Sequence, residues 1–268
     1  MHKYPFISSV YQLIPLASQF SINFLFVFSI GKMNPFLPFF LASFLFFISH
    51  SQTTSNTSSQ HRCLPDQRSA LLQLRQEFVE KRTDSDYYGV SFYPKMKSWK
   101  ADTDCCAWDG VVCNAENGHV IDLDLSNSGL YGPLKSNSSL FSLHQLQKLN
   151  LAYNNFTSST IPSEFGQLVR LTHLNLSHST LTGQIPSQIS WLSNLVSLDL
   201  NSNYFSYEVD GDYHLKNLYL RRIDFEALVQ NMTNLRELQL GSVNISSSVP
   251  QSLVNLSSLT SLSLASCS

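Results

Sequence analysis

From Val120 onward the chain repeats the pattern L-x-x-L-x-L, and no other feature constrains its fold as tightly. The units read VIDLDL, LQKLNL, LTHLNL, LVSLDL, LRELQL and LTSLSL. They begin at Val120, Leu146, Leu171, Leu195, Leu235 and Leu259, so the steps are 26, 25, 24, 40 and 24 residues. Apolar residues at period two face one side of a short strand. A single unit cannot bury that face alone. Neighbours stacked in a parallel sheet bury it together, and the residues between the leucines then line a concave surface.

A period in the twenties with this motif is the leucine-rich-repeat signature. The expected fold class is an α/β leucine-rich-repeat solenoid, right-handed, with a parallel concave β-sheet. Repeats occupy 120–268, with the fourth extended over 195–234 and the last incomplete. A strand without a return path at the end of the chain reads as a fragment of a longer array. After each strand one inward side chain serves the turn. Its occupants are Ser128, Asn154, Ser179, Asn203, Val243 and Cys267. The same register sets two concave columns. One runs Asp122, Lys148, His173, Ser197, Glu237, Ser261; the other runs Asp124, Asn150, Asn175, Asp199, Gln239, Ser263. Together they are polar and mixed in sign, with Tyr153, His178 and Tyr204 nearby, which suits a protein, peptide or glycan ligand. The surplus of the 40-residue step lies in YEVDGDYHLKNLYLRRIDFEALVQNMTN (207–234). It is expected as an extended loop on the convex side, turning helical at FEALVQNMTNL.

Upstream of the repeats, Asp66 is placed to cap a helix whose Ala70, Leu71, Leu74 and Phe78 share a face. VVCNAENGHVIDL carries an Asn-Gly turn between apolar strands, a hairpin signal. Trp99 and Trp108 are expected to cover the open end of the first repeat. The first fifty residues hold two apolar runs, at 6–30 and 33–51. The second has the form of a secretory signal, with Ser49 and Ser51 before a cut at Gln52. Residues 1–32 then read as an upstream extension, or as the first half of a paired hydrophobic anchor, and 52–62 as a polar, disordered leader. Export leads to an oxidising compartment. Cys63, Cys105, Cys106 and Cys113 then form two disulfides. Adjacent Cys105 and Cys106 are badly placed to bridge each other, which leaves two connectivities. Zinc ligand spacing is absent. Asn-x-Ser/Thr sequons stand at Asn56, Asn137, Asn155, Asn175, Asn231, Asn244 and Asn255. A glycan on Asn175 would obstruct the concave face.

The units LTGQIP (181–186), LYGPL (130–134), STIP (159–162) and SSVP (247–250) resemble the plant-specific form of the repeat, in which Gly and Ile-Pro open a second short strand. CLPDQRSALLQLRQEF, YPKMKSW and DCCAWDGVVC are similar to the N-terminal cap of plant leucine-rich-repeat proteins, here 63–119. GHVIDLDLSNSGLYGPL and NSSLFSLHQLQKLNLAYNNF resemble plant receptor-like proteins more narrowly. That resemblance implies Cys63–Cys105 and Cys106–Cys113 pairing. It also implies a plasma-membrane receptor for a defence or developmental signal that works through co-receptor kinases. The competing reading is a secreted inhibitor of cell-wall-degrading enzymes, similar to polygalacturonase inhibitors. Those keep a regular step of about 24, unlike this chain.

Other function classes find little support. Charged residues are 13% of the chain and the net charge is −2, with no basic run to hold nucleic acid. Asp122 and Asp124 alternate along one strand as a solvated ladder rather than an acid–base pair. Ser177, His173, His178 and Asp199 lie close in register, but no G-x-S-x-G elbow accompanies them. The reading is therefore non-enzymatic, with no cofactor or metal. Residues 52–268 contain no apolar run of membrane length.

Overall fold

The computed structural model describes residues 62–80, 92–245 and 248–267. The expected extension, the signal segment and the leader other than Arg62 lie outside the described residues. Helix α1 (Pro65–Glu77) opens the cap. Its N-cap is Leu64, which makes no side-chain capping bond, so Asp66 lies within the first turn and is not the cap. Pro65 explains the shift. At the first helical position its missing N–H costs nothing and its fixed φ suits the helix. Leu71 and Leu74 are buried, and Phe78 meets Phe156 of the second repeat at 5.6 Å. Gln67 ties the helix to the repeats, its Oε1 accepting from the Val120 amide at 2.6 Å.

Strand β1 (Val79–Glu80) follows, and then β2 (Val111–Cys113), which pairs antiparallel with β3 (Val120–Asp124). The hairpin signalled by Asn-Gly is thus formed. Next come β4 (Leu130–Tyr131), β5 (Lys148–Asn150), β6 (His173–Asn175), β7 (Gly183–Gln184) and β8 (Ser197–Asp199). The fourth repeat adds β9 (Tyr204–Val209), β10 (Asp212–Leu220) and helix α2 (Arg222–Asn231). Strands β11 (Glu237–Gln239), β12 (Asn244–Ile245) and β13 (Ser261–Ser263) complete the order. A seven-stranded sheet runs β2-β3-β5-β6-β8-β11-β13. From β3 on, its neighbours are parallel. Leu123, Leu149, Leu174, Leu198 and Leu238 are aligned and buried to within 1%.

The cap closes the first repeat from the other side. Trp99 and Trp108 are buried and stacked, with ring centroids 5.4 Å apart, and belong to the same core as Leu123. The disulfides are Cys63–Cys105 and Cys106–Cys113, the pairing implied by the resemblance. Asp104 Oδ1 holds both bridges in place, accepting from the Cys63 amide at 3.0 Å and the Cys106 amide at 3.1 Å.

The long fourth repeat corrects the expected convex loop. Strands β9 and β10 form an antiparallel hairpin, from Asp212 opposite Val209 to Asn217 opposite Tyr204. Its turn is Asp210-Gly211, both at positive φ (54° and 84°), the twist that a two-residue hairpin turn requires. The end of β10 then enters a second sheet, β7-β10-β12, on the flank of the solenoid. Leu218 lies beside Gly183 and Leu220 beside Ile245. The insertion therefore divides in two. From Asn203 to Leu218 the chain spends 15 residues where Ser179 to Gly183 takes 4. From Leu218 to Leu235 it spends 17 where Gly183 to Leu195 takes 12. The second surplus is α2, which replaces a five-residue 3₁₀ turn such as Ser187–Trp191. Asp224 on α2 is buried and binds Arg221 and Gln184, each at 2.7 Å.

Candidate ligand-binding face

The concave columns follow from the parallel register. Asp122, Lys148, His173, Ser197, Glu237 and Ser261 lie side by side, as do Asp124, Asn150, Asn175, Asp199, Gln239 and Ser263. Ten of these twelve, from Asp122 to Gln239, surround an open cavity of about 380 Å³. Ser261, Ser263 and Tyr204 do not line it, and neither do Tyr153 and His178. Those two stack beyond the strand ends, ring centroids 4.5 Å apart and planes 6° from parallel. Both sit at positive φ, 57° and 51°, in the residue just before the turn-serving position.

The two columns do different jobs. In the second, a side-chain oxygen accepts from the amide two residues on, closing a turn at the end of each strand. Ser126 donates to Asp124 at 2.9 Å, Ala152 to Asn150 at 3.1 Å, Ser177 to Asn175 at 2.9 Å and Asn201 to Asp199 at 3.0 Å. This requirement explains the run of Asp and Asn there. Gln239 breaks the series: its Nε2 donates to Ser261, while Asn201 Oδ1 accepts from the Gly241 amide. The first column carries no such local duty among the described residues. Ser197 Oγ donates to Glu237 at 2.9 Å, and Thr172 shares a bond with His173 Nδ1.

Lys95, absent from the sequence-derived set, completes the cap-side end. Its Nζ lies 2.7 Å from Asp124 and also donates to Ser126 Oγ. No spacing links residue 95 to residue 124; only folding of the cap onto the first repeat joins them. Burial would push the Asp124 carboxyl up, but hydrogen bonds from Lys95 and Ser126 and the Lys95 charge hold it below its ordinary value. Burial pushes Asp122 upward, opposed by Lys148 and aided by Asp124. Asp199 is raised as well, chiefly by burial, against the bond from Asn201. Ser177 Oγ donates to Asn175 at 2.7 Å, so the Ser-His-Asp grouping holds no serine aimed at a histidine.

The turn-serving ladder behind this face also follows its register. Asn203 Nδ2 donates to the Leu176 and Leu200 carbonyls, and its Oδ1 accepts from the Ser179 and Leu181 amides. Asn154 does the same two repeats earlier. Cys267 repeats half of the pattern, its Sγ donating to Leu240 O at 3.1 Å. Burial pushes that thiol up, with the Val243 amide opposing. Among the described residues no helix is long and apolar enough to cross a membrane.

Comparison with known proteins agrees with this architecture. Residues 64–114 match the leucine rich repeat N-terminal domain, and 145–168 and 170–192 match the leucine rich repeat. Receptor-like protein 6 of Arabidopsis thaliana is 44% identical over 239 residues, which is 86% of this chain and 23% of that protein. Receptor-like protein Cf-9 of Solanum pimpinellifolium is 43% identical over 221 residues, 80% of this chain and 24% of the relative. The chain thus spans about a quarter of the length of these relatives. Among solved structures, the Arabidopsis receptor kinase HAESA in complex with the peptide hormone IDA and the co-receptor SERK1 superposes with a TM-score of 0.51 and 27% identity. That match covers 76% of this chain and 34% of HAESA. The chain is therefore homologous to plant receptor-like proteins and carries the capping domain and leucine-rich repeats of that family.

Proposed function

We propose that this chain supplies part of the ligand-recognition ectodomain of a plant cell-surface receptor in defence or developmental signalling. The observation that carries the reading is the concave cavity. One column of side chains there is committed to closing turns, while the neighbouring column presents Asp122, Lys148, His173 and Glu237 to a partner. Asp122 and Lys148 on neighbouring strands, with Glu237 three strands beyond Lys148, suit an extended peptide laid across the strands with side chains of opposite charge facing them. Homology to receptor-like proteins supports an extracellular location, and the likeness to a peptide-bound receptor ectodomain supports a peptide or protein ligand. A co-receptor kinase is proposed on the same ground. A glycan ligand is compatible with the polar lining.

Panning a phage-displayed peptide library on the chain tests this. Enriched peptides should lose at least tenfold in capture by Lys148→Glu or Glu237→Lys, and little by Val169→Ser outside the cavity. Peptides indifferent to both charge reversals, or no enrichment at all, would overturn the proposal.

A further inference from the structure

The convex elements end in a column of their own. Their last residues are Ser142, Gln167, Trp191, Asn231 and Asn255, one per repeat. Two of these observations belong together. Trp191 is 59% exposed, whereas Trp99 and Trp108 are buried. Asn231, one repeat further on, is exposed and starts the sequon Asn231-Met232-Thr233.

Geometry fixes the direction in which both side chains lean. An added Cβ on Gly166, in the repeat before Trp191, would lie 3.1 Å from Trp191 Cε3. The indole therefore leans back over the preceding repeat, and one edge rests on bare backbone. Asn231 leans the same way, its Nδ2 reaching to 3.5 Å from Ser190 Oγ, on the residue next to Trp191. Ser190 is buried, so its Oγ takes one N–H, and a substituent takes the place of the other, beside the repeat that carries Trp191. The amide keeps one N–H after substitution, so the approach to Ser190 survives.

We propose that Asn231 is N-glycosylated and that the first N-acetylglucosamine of the glycan packs on Trp191. The donor is a polyprenyl-diphosphate oligosaccharide. Its anomeric C–O bond breaks, a C–N bond forms to Nδ2, the amide gives up one proton and the polyprenyl diphosphate leaves. The C–H face of a pyranose carries a weak positive potential that complements the negative face of an indole. Stacking removes a large exposed apolar side chain from water and holds the glycan on the convex side, away from the concave cavity. Among the described residues, the sequons at Asn155, Asn175 and Asn255 differ. Asn155 and Asn175 have their side-chain oxygens engaged by Thr157 and Thr180, and by Ser177. In the convex column, Asn255 follows Asn231 and no aromatic.

The test is expression of the full chain in a secretory host. Glycopeptide mass spectrometry of the tryptic peptide 223–236 reads occupancy, and iodide quenching of tryptophan emission reads cover over Trp191. The chain has three tryptophans, and with two buried, quenching reports mainly on Trp191. Asn231 is expected to be occupied. Asn231→Gln and Thr233→Ala are each expected to quench at least twofold more steeply than the unsubstituted chain, and Trp191→Phe should abolish that difference. A bare Asn231, or equal quenching in the unsubstituted chain and both sequon variants, overturns the proposal.

Discussion

Asp124 serves two masters: its Oδ1 closes a turn by accepting from Ser126, and its Oδ2 meets Lys95. The second bond makes its contribution depend on pH. Its folded pKa lies below the unfolded value, so the stabilisation is present above about pH 4 and is lost as pH falls through the lower folded value. The carboxylate side chain is 44% exposed, so solvent screening limits the effect. Asp124→Asn keeps the turn bond and should cost about 0.5–1 kcal/mol at neutral pH. Urea midpoints should show that gap at pH 7 and narrow it progressively as the pH falls below about 4; a gap that does not change in acid would mean the ion pair is not its source. Asp122 and Asp199 work with the opposite sign. Their raised values mean that acidification relieves a buried charge and favours the folded form. At this scale the ladder was legible in advance, down to the Cys267 thiol. The turn-closing role of Asp124, Asn150, Asn175 and Asp199 was not, although four Asp or Asn residues in one column were its signal.

Among the elements, the hairpin β9–β10 departs most from what the pattern led one to expect. A 40-residue step reads as loop when only the leucine register is followed. Asp210-Gly211 between two runs rich in aromatic residues was the available sign, and it specifies a two-residue turn. The result is a projecting ribbon with Tyr207 stacked on His214 at 5.3 Å and Lys216 lying over the same tyrosine ring. Its base is rigid because β10 continues between β7 and β12. The convex elements are packed with less tolerance. Gly166 adopts an ordinary helical conformation, so propensity alone would favour alanine there. A Cβ at that position would nevertheless lie 2.8 Å from both Cβ and O of Gln188 in the next repeat. Gly166→Ala should destabilise by about 1–3 kcal/mol, the usual cost of overpacking. A thermal melt at or above that of the parent would show that the adjacent turns can separate freely.

For the molecule as a whole, the cap and repeats share one core, and the cap depends on its two disulfides. They close loops of different size, with separations of 42 and 7 residues. On a chain-entropy model, removing the longer bridge should cost about 4 kcal/mol and the shorter about 2.5 kcal/mol. Urea unfolding of the Cys63→Ser/Cys105→Ser and Cys106→Ser/Cys113→Ser pairs should therefore rank the first as the more damaging. Equal losses would assign the cost to local strain around Asp104 rather than to loop closure.

The sequence by itself determined the solenoid, the identity of each concave column and the ladder position of Cys267. All of these follow from a side-chain period of two inside a repeat in the twenties, and such spacing is a local property. The tertiary structure alone decided what joins residues far apart in the chain. It set Lys95 against Asp124, Gln67 against Val120, the insertion into the flank sheet, and Asn231 one repeat beyond Trp191. Those contacts arise only when repeats stack and the cap closes over them, because stacking converts distance along the chain into adjacency across a surface.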